Sequence, residues 1–179
     1  MKRYVLHAEK EIVEEVFDVT SSSESLFDPS YNVFPGSPMP VVFHDSEREI
    51  KSAVWGISSK NEKITSFSKS EVEENSIKDM GLKPCLIPAS GFYLWKQSVN
   101  DKYPFYIRML GREVLGLAGL YQETEDKKGK KSLEYAVITK ASNVLLQPLE
   151  PTMPCTLDPE NFEQWIKGNE KEVLQSQFQ

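Results

Sequence analysis

Residues 85–96 read CLIPASGFYLWK, and this stretch sets the middle of the predicted fold. Residues 85–87 are a short apolar run of the kind that forms a buried strand, and we expect Pro88 to end that strand. Ser90 and Gly91 predict a turn, after which residues 92–95 begin a second strand. The stretch therefore predicts two strands that meet at a turn of small residues.

Further strand patterns lie on both sides of this stretch. Upstream are residues 41–43 and 53–57, and downstream are PFYIRML, VLGLAGLYQ and LEYAVIT. Helical spacing of apolar residues occurs in residues 8–18, after a cap at Ser70, and after Asp158. Many short strands with three or four helices at the edges predict an α+β fold, whose largely antiparallel sheet curls toward a barrel.

Length and composition indicate one ordinary globular domain. The chain has 179 residues, and we place the domain at residues 1–167 with a polar C-terminal tail at 168–179. No apolar run reaches the roughly 20 residues that cross a bilayer, so we expect no membrane contact. The first residues lack a signal-peptide pattern, which favours a cytoplasmic protein. We expect a monomer.

The charge balance excludes a strongly basic, non-specific nucleic-acid binder. The formal net charge is −6, although 21 Lys and Arg residues remain to line a local groove. The two cysteines, Cys85 and Cys155, lie in apolar stretches and are expected to be buried, inert thiols. Together with two histidines they show no metal-ligand spacing, so we expect no metal and no cofactor.

Several segments resemble the SOS-response-associated peptidase (SRAP) family, the abasic-site processing proteins. Residues 85–96 differ from that family's CLIPASGFYEWK at one position, and residues 31–42, YNVFPGSPMPVV, resemble its YNIAPGQPVPVV. Residues 54–57, VWGI, resemble its RWGLIP, and residues 117–122, LAGLYQ, resemble its LAGLWE. Residues 138–166 are similar to ITTEANELLAPIHDRMPVILDPEDYDRWL. The segments follow the family's order along most of the chain.

The resemblance implies a curled, mostly antiparallel sheet with a positively charged groove for single-stranded DNA. It also implies covalent capture of an abasic site. In the family a cysteine after the initiator Met becomes the N-terminus; its amine attacks the ring-opened sugar and its thiol closes a thiazolidine. An Asn from an INAR motif, a Glu from GFYEW and a His from HxRMP arrange the sugar and move protons.

This chain departs from the family at each of those four positions. Lys2 replaces the cysteine, and Leu94 replaces the Glu of GFYEW. Glu150 aligns with the His, and Thr65 aligns with the Asn of INAR. Because no cysteine lies near the N-terminus, thiazolidine closure lacks its sulfur. We therefore predict a catalytically degenerate member that makes no stable DNA–protein crosslink.

Retained aromatic and basic residues are the candidates for contact with single-stranded DNA. Aromatic rings could stack on unpaired bases, and lysines could line a phosphate groove, so that binding would be weak and salt-sensitive. The alternative is that the aromatics fill the core and the lysines are solvated surface charges. The candidate residues are Arg3, Pro35, Trp55, Phe67, Lys69, Tyr93 and Trp95.

Two other functions remain open at the level of sequence. The amine of Lys2 could form an imine with an abasic aldehyde, with Glu150 as a base, which would make the chain an enzyme of altered chemistry. Alternatively the chain is a protein-interaction module that no longer meets nucleic acid, which the acidic balance and the scarcity of arginine favour. The sequence does not identify a protein partner.

Overall fold

The computed structural model describes residues 1–19, 24–75, 77–98, 100–125, 128–169 and 172–174. These ranges contain fourteen strands, three α-helices and two short 3-10 turns. The helices are α1 (Lys10–Phe17), α2 (Lys69–Glu74) and α3 (Phe162–Ile166). The strands are β1 (Arg3–Leu6), β2 (Ser30–Val33), β3 (Pro38–His44), β4 (Arg48–Trp55), β5 (Ile57–Ser59), β6 (Glu62–Ile64), β7 (Ser66–Ser68), β8 (Lys83–Ala89), β9 (Gly91–Gln97), β10 (Lys102–Ile107), β11 (Leu115–Glu125), β12 (Lys131–Ala141), β13 (Thr152–Pro154) and β14 (Thr156–Leu157).

Five strands close into a barrel-like ring in the order β12-β4-β3-β8-β11, and β11 pairs with β12 to complete it. Strands β7 and β13 extend the ring beside β12, and β14 pairs with β11. The pairings are antiparallel except those of β12 with β4 and β7. The predicted α+β fold, a curled and mostly antiparallel sheet with peripheral helices, is confirmed.

A second sheet leaves the barrel at the turn predicted from residues 90–91. It has the order β10-β9-β1-β2 and is antiparallel throughout. Ser90 joins the two sheets, since its backbone N–H donates to the carbonyl of Val5 at 2.7 Å. Its Oγ accepts the backbone N–H groups of His7 and Ala8 at 3.0 and 3.1 Å. This buried hydroxyl therefore satisfies the two donors at the end of β1.

Helices α1 and α3 cover one end of the barrel through aromatic contacts. The rings of Phe17 and Phe162 stack with their centroids 4.9 Å apart. They lie over Gly116 of β11, where an added Cβ would collide with Phe162. The indole N–H of Trp165 donates to the carbonyl of Cys85 at 2.8 Å, which fixes α3 on β8. The apolar face predicted for this last helix is confirmed.

Two local predictions need correction. Pro88 does not end its strand: β8 continues to Ala89, because its pairing with β11 runs past Pro88, opposite Gly116, to Ala89, opposite Leu115. Helix α2 is capped by Ser68 rather than Ser70 and ends at Glu74, before residue 76, which lies outside the described residues. Both serines precede a glutamate by three residues, so the sequence alone did not distinguish the two caps.

Two residues of the C-terminal segment lie in the hydrophobic core. Val173 and Leu174 are fully buried in the same hydrophobic core as the barrel residues. Residues 170, 171 and 175–179 lie outside the described part of the chain. The prediction that Cys85 and Cys155 are buried is confirmed, and both are free.

A buried carboxylate fastens the hairpin β5–β6 to the barrel. Glu134 of β12 accepts hydrogen bonds from the backbone N–H and hydroxyl of Ser58, each at 2.7 Å. It also accepts from Lys63 Nζ at 2.6 Å and from Gln122 Nε2 at 3.0 Å. Burial by itself would raise the pKa of Glu134, but these hydrogen bonds outweigh burial and lower it to about 2.

Replacing Glu134 by Gln should lower the free energy of unfolding by about 2 kcal/mol at neutral pH, because a buried charge-assisted network loses its charge. The folded pKa lies below the unfolded value, so this stabilisation is present above pH 4.5 and is lost as the pH falls toward 2. Urea unfolding of both proteins across this pH range should show the difference shrink with acid.

The matched control is Glu123→Gln, which removes an exposed ion pair with Lys131 on the neighbouring strands. This control should leave the unfolding midpoint almost unchanged, because exposed pairs contribute little. An equal effect of the two substitutions, or a difference that persists at pH 2, would show that the Glu134 network does not stabilise the fold.

Candidate nucleic-acid interface

The four positions at which the chain departs from the family lie around the first strand. Lys2 Nζ and Glu150 Oε1 form an ion pair at 3.1 Å, which ties the N-terminus to the loop before β13. The register Arg3–Tyr93 between β1 and β9 places Leu94 at the next step, beside Lys2. Two ionisable groups and one apolar side chain thus occupy neighbouring positions.

Thr65 joins this group through a buried tryptophan. Its carbonyl accepts the indole N–H of Trp55 at 2.8 Å and the backbone N–H of Val137 at 3.1 Å. The Trp55 ring lies 5.4 Å from that of Tyr4, the residue that follows Arg3 on β1. Thr65 therefore has a clear structural role, in which its backbone carbonyl rather than its side chain makes the contacts.

The amino group of Met1 is the other reactive group at this end of the chain. The Met1 side chain is partly buried against the core. Burial lowers the pKa of the amino group; the Glu150 carboxylate opposes this shift, and the Lys2 ammonium adds to it. A larger fraction of this amine is therefore unprotonated at neutral pH than for an ordinary N-terminus.

Neither thiol can take part in chemistry at the surface in this conformation. Cys85 and Cys155 are fully buried, and burial raises the pKa of both thiols. No cluster of three or more His, Cys, Asp or Glu residues suited to a metal ion occurs within the described ranges.

Two of the predicted base-stacking residues belong to the core. Trp55 is only 1% exposed and stacks on Tyr135 at 6.4 Å, and Phe67 is 7% exposed. The prediction that these rings form a platform for bases is wrong for this conformation, because protein atoms cover their faces. The sequence pattern did not separate core aromatics from surface aromatics, since all lie on short strands.

The other predicted aromatics form a surface on the small sheet, which we call the aromatic face. Register pairs Arg3 with Tyr93 and Trp95 with Pro104, so their side chains emerge on the same side of β1, β9 and β10. This side is opposite to that of the buried Leu94. A shallow cleft of about 250 Å³ lies over it. The cleft is lined by Arg3, Tyr31, Asn32, Tyr93, Trp95 and Pro104.

The aromatic face carries positive charge and an unsatisfied donor. The Arg3 guanidinium lies 5.2 Å above the Phe34 ring and donates to the carbonyl of Lys2 at 3.0 Å. The buried indole N–H of Trp95 has no hydrogen-bond partner among the described residues. No carboxylate belongs to the six lining residues. A polar or anionic group in the cleft would thus meet one cation, Arg3, whereas the indole N–H lies buried beneath the surface.

Other candidates lie outside this face or beside it. Pro35 is exposed in the turn after Phe34, next to the aromatic face. Lys69 forms an ion pair with Glu73 on α2 at 3.2 Å, and Lys63 is committed to Glu134. The structure therefore does not bring the lysines of the predicted groove together with the aromatic face.

Sequence reasoning missed several residues of this surface. Tyr31 is 64% exposed and stacks on His7 with ring centroids 5.5 Å apart. Pro104 and Tyr106 stand on the same side of the edge strand β10, whose KYPFYI sequence is rich in aromatics. That unusual density of aromatics in an exposed strand was the available signal.

Negative charge gathers in another part of the molecule. A cleft between α1 and the turn from β3 to β4 is lined by seven carboxylates among its twelve residues. The acidic net charge of the chain therefore coexists with an aromatic face that carries none of it. No helix in the described ranges has the length and apolarity to span a bilayer.

Comparison with known proteins agrees with the fold and the sequence segments. The chain is 29% identical over 191 aligned positions to the abasic site processing protein YoqW of Bacillus subtilis (strain 168), covering 99% of this chain and 85% of that protein. It is 27% identical to the abasic site processing protein HMCES of Xenopus tropicalis, covering 80% of this chain and 55% of that protein.

A solved structure from Bacteroides thetaiotaomicron superposes with a TM-score of 0.83 at 19% identity, covering 99% of this chain and 86% of the other. The family model described as SOS response associated peptidase (SRAP) matches residues 2–178. With the barrel, the small sheet and the motif order in agreement, this chain belongs to the SRAP family.

Proposed function

We propose that this protein binds single-stranded DNA through the aromatic face and takes part in abasic-site processing without forming a stable crosslink. The observation that carries the proposal is an exposed, acid-free sheet face on which an arginine accompanies several aromatic rings. The names of the relatives, abasic site processing proteins, support a role connected with damaged DNA.

Stacking would supply most of the binding energy. Tyr93 and Trp95 lie two residues apart on β9 and face the same side, and Tyr31 lies across the cleft. Stacking of a base on such a ring contributes roughly 1–3 kcal/mol and tolerates any sequence.

Electrostatics would make the binding weak and dependent on salt. Arg3 is the one cation among the residues that line the cleft, so few counterions are released on binding. The chain as a whole is acidic, which slows the approach of another polyanion. Low affinity with a shallow dependence on salt fits both facts.

The absence of a stable crosslink follows from the side chains at the N-terminus. Lys2 occupies the position of the family's cysteine and forms an ion pair with Glu150. Leu94 is buried and has no proton to transfer. An imine formed at an amine here would lack a neighbouring thiol, because both cysteines are buried. A thiazolidine therefore cannot close.

A second candidate function is reversible imine formation, which the lowered pKa of the Met1 amine favours over the proposed Lys2 chemistry. The Lys2 ammonium is ion-paired with Glu150, whereas a larger fraction of the Met1 amine is unprotonated and can act as a nucleophile. The amine would add to the abasic aldehyde, and the carbinolamine would lose water to give the imine. Removal of the C2′ proton, with Glu150 as base, would then expel the 3′ phosphate and cleave the strand.

Replacing Trp95 by Ala should weaken binding of an oligothymidylate about 10-fold, because one stacking partner is lost. The control is Tyr103→Ala, an exposed aromatic that stands on the opposite side of β10. Fluorescence anisotropy at low and moderate salt measures both affinities. No binding even at low salt would contradict the proposal and leave the protein-interaction module as the function.

Mixing the protein with single-stranded DNA that carries an abasic site should give no crosslinked band on a denaturing gel unless borohydride is present. A band that survives without borohydride would show that stable capture chemistry remains. The same oligonucleotide without the abasic site gives the background.

Borohydride reduces an imine to a stable amine, so a band that depends on it supports the second candidate. Peptide mapping of the reduced adduct should place the modification on the Met1 amine, and Lys2→Ala should leave the amount of trapping nearly unchanged. An adduct on Lys2, abolished by Lys2→Ala, would instead assign the chemistry to the side chain.

A further inference from the structure

A second cleft lies at the far end of the small sheet, beside the Ser90–Gly91 turn. Its volume is about 560 Å³. Tyr106 pairs with Tyr93 and therefore emerges on the same side as the aromatic face. Arg108 lies just beyond the end of β10 and lines the same cleft as Tyr106. The lining includes His7, Ser90, Tyr106, Arg108, Arg112 and Glu113.

Two pairs of rings connect this second cleft to the aromatic face. The Tyr93 ring belongs to the aromatic face and lies 5.5 Å from the ring of Tyr106 in the second cleft. Likewise Tyr31 of the aromatic face stacks on His7 of the second cleft at 5.5 Å. The rings of the two clefts are therefore neighbours on one side of the sheet, and we call this row of rings the aromatic track.

The fold positions Tyr106 within this track. Its ring lies on the backbone of Gly91, where an added Cβ would come within 2.6 Å of a ring carbon and 2.5 Å of the Ile107 carbonyl oxygen. Its hydroxyl donates to the carbonyl of Ser90 at 3.2 Å. A residue other than glycine at this position would push the ring away from the strand.

Arg108 is the cation that remains available in the second cleft. Arg112 donates to Asp158 at 2.8 Å, and Glu113 adds one carboxylate to the lining. By contrast, Arg108 forms no ion pair or hydrogen bond within the described ranges. Its charge lies close enough to Tyr106 to lower the pKa of that phenol, although burial raises this pKa by more. An unpaired guanidinium at the end of an aromatic track is suited to a phosphate.

We propose that the second cleft binds a backbone phosphate of the same single strand whose bases stack on the aromatic face, with Arg108 as the contact. This inference rests on the proposed function. Arg3 lies opposite Tyr93 on one side of β9, and Arg108 follows Ile107, which lies opposite Phe92 on the other side. The two arginines are thus about 7 Å apart along the strands and about 10 Å apart across them, so they would hold different phosphates of one oligonucleotide. The second cleft would thus determine how long a strand the protein engages.

The test is the affinity of Arg108→Gln for oligothymidylates of about 4 to about 16 nucleotides, the range that single binding folds cover. We expect the longest oligonucleotide to lose about 5-fold in affinity and the shortest to lose none. The slope of log affinity against log salt should fall by about 0.7 for the long strand. Lys78→Gln, an equal charge change remote from the small sheet, is the control.

Tyr106→Leu provides a second variant, because it removes the ring that joins the two clefts without changing charge, and circular dichroism verifies that it folds. It should also weaken long oligonucleotides more than short ones. If Arg108→Gln and the unaltered protein bind oligonucleotides of every length with equal affinity, the proposed phosphate contact in the second cleft is wrong. The proposed function would then remain intact. Loss of all binding by the unaltered protein would overturn the proposed function itself.

Competition with inorganic phosphate tests whether the second cleft binds a phosphate of the DNA strand or a free phosphate ion. Millimolar phosphate at constant ionic strength should leave the affinity for the long oligonucleotide unchanged. If phosphate instead weakens binding of the long oligonucleotide, and this competition disappears in Arg108→Gln, the cleft is a site for free phosphate. That result would overturn the proposed contact with the strand.

Discussion

The corner at Ser90 and Gly91 is the constraint on which the rest of the molecule depends. The chain leaves the barrel strand β8 and enters β9 of the small sheet within one residue. The Ser90 hydroxyl satisfies two backbone donors at the end of β1, which holds that strand against the corner. Gly91 leaves room for the Tyr106 ring, which builds the outer surface of the same sheet. One dipeptide thus connects the two sheets and shapes the proposed binding surface.

The small sheet separates two sets of residues by the alternation of its strands. The side that faces the core carries Leu94 and Tyr4, and it lies near the ion pair of Lys2 with Glu150. The opposite side carries the aromatic face. Substitutions at the first set can therefore change reactivity without disturbing the second. On the proposed function, this separation would let the chain differ at its reactive positions and keep a surface for single-stranded DNA.

Charge is distributed in the same divided way. Carboxylates collect around the cleft beside α1, while the aromatic face has none among its lining residues. The net charge of −6 therefore says little about the local field at the small sheet. A composition argument treats the chain as a uniform sphere, whereas a strand of nucleic acid would meet the field of one face over about a Debye length.

The sequence by itself determined the fold class, because the strand patterns, the turn at residues 90–91 and the family segments depend on local order along the chain. It also identified Arg3, Tyr93 and Trp95, which lie in strands whose alternation is readable. Only the tertiary structure decided that Trp55 and Phe67 are buried, that Val173 and Leu174 join the core, and that Tyr31 and Tyr106 extend the surface. The physical reason is that burial and proximity depend on which sheet a strand joins, and pairing partners far apart in sequence leave no local signal.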